Sequence, residues 1–173
     1  MVSNELDGLL SNIQTLKASS QDYHIVSSWT PPAGEDGETT YNPKTGSIDV
    51  KISASYGLPG LAHELTHAYQ YDQGQTDFNS NGTGRGYLHD LTDEIAAYRR
   101  QFVIAGSLGR VNSLDGITGA CVRGLSAQYS GLPSVSLDKN STLQVIFLFH
   151  RMSNSSFNSY PNFEDVIKSC TDV

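Results

Sequence analysis

The chain has 173 residues, enough for one domain with a substantial hydrophobic core. A formal net charge of −7 without any Lys/Arg cluster argues against a nucleic-acid surface. No apolar run reaches membrane-spanning length; the longest, Val145 to Phe149, is core-sized.

The first predicted element is an amphipathic helix over residues 3–19, where Leu6, Leu9, Leu10, Ile13 and Leu16 recur at helical spacing. Tyr23 to Trp29 reads as a strand, and the Pro- and Gly-rich stretch from Pro31 to Gly37 as a loop. Two further strands, 38–41 and 47–52, flank Asn42-Pro43-Lys44-Thr45-Gly46, which is turn chemistry and predicts an antiparallel hairpin. In the second strand Ile48, Val50 and Ile52 alternate with polar residues, so one face is buried.

A helix follows from about Pro59 to Asp72 and stops at Gly74. Residues 74–88 are rich in glycine and form a loop that either overhangs the preceding helix or simply links it to the next. Leu91 to Ala105 forms a second strong helix, with Leu91, Ile95, Tyr98 and Phe102 on one face and Gly106 closing it. Beyond it the sequence supports a short helix at 118–129, an apolar helix from Thr142 to Met152 and a terminal one from Phe163 to Cys170. The reading is a single α+β domain over residues 1–173, a small antiparallel hairpin or sheet packed on a central helix and further helices.

The chemistry concentrates in His63-Glu64-Leu65-Thr66-His67. Two histidines four apart on a helix lie one turn above the other, so both imidazoles reach one metal ion. Glu64 leans into the same region and can take a proton from a water that the metal activates. A surface helix with repeating histidines is the bland alternative, but Leu61, Ala62, Leu65 and Ala68 mark this helix as buried.

A catalytic zinc keeps three protein ligands, so a third donor is expected. Gln70 and Gln73 stand where an extended histidine motif would need glycine and a further ligand. Asp77, ten residues past His67, is one candidate, without the surrounding pattern of aspartate-type zinc peptidases. Glu94 ranks first, because it lies near the start of the second helix and a loop of this length returns the chain antiparallel. Asp90 reads as a helix cap, and Asp93 as a cap or a residue that orients a ligand histidine, with His89 in the same neighbourhood. Tyr98, Tyr129 and His150 are candidate donors to a developing oxyanion; His150 reads more readily as a core histidine.

His63-Glu64-Leu65-Thr66-His67 followed by Glu94-Ile95-Ala96-Ala97-Tyr98 resembles the gluzincin arrangement of zinc metallopeptidases. The run from Thr40 through Val50 into the histidine helix resembles bacterial effector and polymorphic-toxin metallopeptidase domains, over about residues 38–105. The resemblance implies Zn²⁺ held by His63, His67 and Glu94, Glu64 as general base, and a peptide or protein substrate. It also implies a secreted or translocated bacterial protein, although the first residues lack the basic start and apolar middle of a secretory signal. Two other functions compete. A zinc amidase of the deformylase type would need a cysteine upstream of the histidines, and none precedes Cys121. A silent binding module would have no use for Glu64. A monomer is expected, and Cys121 with Cys170 forms either one disulfide or two buried thiols.

Overall fold

The computed structural model describes residues 2–32, 35–106 and 113–140. The helices expected at 142–152 and 163–170, together with His150 and Cys170, lie outside the described residues. The order is α1 (Val2–Ala18), β1 (Tyr23–Val26), β2 (Gly37–Tyr41), β3 (Ile48–Ile52), α2 (Gly57–Asp72), α3 (Leu91–Ile104) and α4 (Gly119–Leu125). Single 3₁₀ turns at Leu114–Gly116 and Ala127–Tyr129 flank α4. The expected helix at 118–129 is therefore α4 followed by a tighter turn. Thr118 starts α4 by accepting a hydrogen bond from the Cys121 amide.

The hairpin forms in the expected register, with Tyr41 opposite Ile48 and Thr39 opposite Val50. Gly46, at φ 75°, closes its turn in a conformation that costs glycine nothing. The sheet is not purely antiparallel. β1 lies on the far side of β3 and runs parallel to it, Tyr23 opposite Ile48 and Val26 opposite Lys51, giving the order β1-β3-β2. The strand also ends at Val26 rather than Trp29, since Ser27 and Ser28 already turn. β3 is thereby central, which explains why Ile48 and Val50 are completely buried.

α2 is the pivot of the domain and is covered on more than one side. Leu61, Leu65 and Ala68, spaced as one helical face, pack with Val50 and with Leu16 of α1. His63, His67 and Gln70 occupy a second face, buried against α3. On α1 the buried stripe is narrower than the leucine count suggests: Leu9 and Leu16 are buried, whereas Leu10 is 59% exposed. A second apolar cluster joins Leu91 of α3 to Leu114, Ile117, Val122 and Tyr129, with Ile95, Tyr98 and Phe102 against it. An Arg100–Glu5 ion pair ties α3 to α1. Among the described residues, no helix is long and apolar enough to cross a membrane.

Candidate metal centre

The four-residue spacing of His63 and His67 does what helix geometry requires. Their Nε2 atoms converge to 3.0 Å on the α3-facing side of α2. Glu94 comes from the first turn of α3, with Oε2 3.4 Å from Nε2 of His63 and Oε1 3.6 Å from Nε2 of His67. All three side chains are buried, and their ligand atoms lie within 4.8 Å of one another. Three ligands at zinc bonding distance in a tetrahedron stand about 3.3 Å apart, so the triangle has the right size for one ion.

The donor set meets the same test chemically. Both Glu94 oxygens are buried and lack a hydrogen bond among the described residues, although nitrogens of His63, His67, Arg85 and His89 stand 3.1 to 3.6 Å away. Burial opposes ionisation of Glu94. The nearby His67 ring and Arg85 guanidinium outweigh it and hold the carboxyl well below its usual range. Burial, reinforced by the Arg85 charge, pushes His67 down to about 3, so its ring is neutral. Two imidazole nitrogens and a carboxylate form an N₂O set suited to zinc.

Gln70 holds His67 in place. Its Oε1 lies 2.7 Å from Nδ1 of His67, and its Nε2 donates to the Asp93 carbonyl at 3.0 Å. A ring nitrogen fixed on one side leaves the other free for the metal. In the sequence Gln70 stands out only as the residue that breaks an extended histidine motif. Its position three residues after His67, on the same helix face, was the signal for a supporting role. His63 packs edge-on against Tyr98, with ring centroids 4.6 Å apart.

Glu64 points toward β2 and is buried. Thr39 Oγ1 lies 2.8 Å from its Oε2 and 3.0 Å from its own carbonyl oxygen, so the hydroxyl reaches either acceptor. Burial raises the Glu64 pKa above the ordinary carboxylate value, against the lowering effects of His63, Arg85 and Thr39. A cavity of about 280 Å³ is lined by Thr39, the hydrogen-bond partner of Glu64, and by Glu94, Arg85, His89 and Tyr129. Tyr129 and Tyr98 share a hydroxyl–hydroxyl contact of 3.0 Å, which links the cavity wall to the residue packed on His63.

The neighbouring acids take other places. Asp77 stands apart from the cluster and organises the loop instead: its Oδ1 accepts the Leu88 amide at 2.7 Å, and its carboxylate fills the space where a side chain on Gly86 would stand. Asp90 is the N-cap of α3, accepting from the Thr92 amide. Asp93 completes the capping box through the Asp90 amide and also lies 3.5 Å from Nδ1 of His89, so it caps while bearing on a histidine that is not in the ligand cluster. Arg85 was missed in the sequence, since a lone arginine among glycines carries no local signal. No family model, curated protein or solved structure matches this chain.

Proposed function

We propose that this protein is a zinc-dependent metallopeptidase of the gluzincin type, with His63, His67 and Glu94 as metal ligands and Glu64 as general base. The observation that carries the reading is the convergence of three buried donors from two helices beside a buried carboxylate that no donor set requires as a ligand. A purely structural zinc site is closed by a fourth protein ligand and has no use for an adjacent acid.

Zinc, when bound, supplies the Lewis acidity that activates a water and polarises a carbonyl. Glu64 accepts the proton of the attacking water and returns it to the leaving amine. Its raised pKa suits both transfers, because a carboxyl with unusual proton affinity can take a proton and still release it. Thr39 holds the carboxylate in one orientation. β2 pairs only with β3 among the described residues, and Gly37, Glu38 and Thr39 of that strand line the cavity. An edge strand offers an extended peptide unpaired backbone groups beside the base, which favours a peptide over a compact small-molecule amide.

The test is to compare wild type with Glu64→Gln for metal content and for cleavage of a mixed peptide library. The expected result is unchanged zinc stoichiometry with hydrolysis reduced by about 10²–10⁴-fold. Wild-type activity in the zinc-loaded variant would remove Glu64 from the mechanism. A wild-type protein that binds zinc and cleaves no peptide would favour a silent binding domain.

A further inference from the structure

The loop before α3 delivers two nitrogen-bearing side chains onto one oxygen of Glu94. His89 Nε2 lies 3.1 Å from Oε1 and Arg85 Nη2 lies 3.5 Å from the same atom. Oε2 faces Nε2 of His63 instead. Neither His89 nor Arg85 belongs to the ligand cluster, yet both line the cavity next to it. From this geometry we infer that His89 and Arg85 are positioning residues, which hold the Glu94 carboxylate by Oε1 and so set the affinity and coordination geometry of the metal centre. This rests on the metal-site reading of His63, His67 and Glu94.

The local construction supports that role. His89 is buried, and its ring is bracketed by two carboxylates, Glu94 on Nε2 and Asp93 Oδ2 at 3.5 Å from Nδ1. Carboxylates on both sides of this buried ring restrict how it can turn toward Glu94. Arg85 is anchored by its backbone bridge to Phe78, whose ring stacks on Tyr71 of α2 at a centroid distance of 5.2 Å. Asp77 binds the Leu88 amide, and the Gly86 amide donates to the Asp77 carbonyl at 2.9 Å. The hydrogen bonds of Asp77 therefore fasten the loop on both sides of the turn that presents Arg85 and His89. A glutamate on the first turn of a helix keeps several rotatable bonds, and two close nitrogen contacts on one oxygen restrict that freedom.

The experiment uses the full chain and metal alone. Zn²⁺ affinity is measured by competition with a chromophoric chelator, and the Co²⁺-substituted protein is examined by visible absorption. His89→Ala and Arg85→Met should each weaken Zn²⁺ binding by about 10–100-fold and alter the Co²⁺ ligand-field bands. His89→Gln, which retains an N–H donor of similar reach, should recover most of the affinity and the wild-type spectrum. Far-ultraviolet circular dichroism of each metal-free variant separates misfolding from the effect sought. If folded His89→Ala and Arg85→Met proteins bind Zn²⁺ within about threefold of wild type and keep its Co²⁺ spectrum, the positioning role is refuted. If wild type itself binds neither metal, the site reading and this inference fall together. Loss of affinity in the variants alongside a peptidase-silent wild type would uphold the inference and remove the proposed activity.

Discussion

Gly60→Ala should destabilise this protein, although alanine normally exceeds glycine inside a helix by about 0.5–1 kcal/mol. Gly60 is not among the glycines with positive φ, so the backbone does not demand it. The demand comes from Tyr56, whose ring carbons Cγ, Cδ1 and Cδ2 occupy the space a Cβ would take. The ring cannot retreat freely. Its Cε1 and Cδ1 also stand against Gly37 at the start of β2, where an added Cβ would collide with the same ring and with Glu64. The Tyr56 hydroxyl also reaches Oε1 of Gln101 on α3 at 3.4 Å. Overpacking of this kind costs about 1–3 kcal/mol, so the net loss after the propensity gain is about 1–2 kcal/mol. For a chain of this size that lowers the melting temperature by about 2–8 °C. In a Tyr56→Ala background the obstacle is gone, and Gly60→Ala should stabilise by about 0.5–1 kcal/mol. Urea unfolding of the four metal-free proteins at neutral pH, followed by circular dichroism, closes the cycle with a coupling of about 2 kcal/mol. Additivity within about 0.5 kcal/mol would refute the wedge.

Two further outcomes follow from the site. Glu94→Gln should weaken Zn²⁺ binding by more than about 100-fold, whereas Asp77→Asn should change it by less than about threefold and cost about 1 kcal/mol of stability through the Leu88 amide bond; equilibrium dialysis with urea titration checks both, and the reverse ranking would make Asp77 the ligand. Metal-free protein should lose stability as the solution is acidified, because folded His67 stays neutral to about pH 3 while its unfolded counterpart takes up a proton near the ordinary value of 6.5. The stability is fully present above the unfolded value and is lost progressively as pH falls from there toward 3, by about 2 kcal/mol between pH 7 and 5. Denaturation of the chelator-treated protein at both pH values measures this, and a His67→Gln variant with the same slope would assign the effect to other groups.

Much of the scaffold was readable because the relevant signals are local. The hairpin follows from alternation on either side of Asn42-Pro43-Lys44-Thr45-Gly46, and α3 from the periodicity of Leu91, Ile95, Tyr98 and Phe102. The parallel seat of β1 was not readable, since a four-residue strand carries no mark of its partner or direction. Leu10 shows the opposite error: it fits the helical stripe, but nothing among the described residues buries it.

The same division runs through the candidate site. Sequence alone determined that His63 and His67 share a face and that Glu64 sits beside them, because helix geometry acts over a few residues. Only the tertiary structure shows that Glu94, rather than Asp77, Asp90 or Asp93, comes together with the two histidines. All four acids lie within reach along the chain, and what separates them is the direction in which the loop and the capped start of α3 send each carboxylate. The contacts of Gln70, Arg85 and His89 arise in the same way, across the α2–α3 interface and from the intervening loop, which no spacing along the chain specifies.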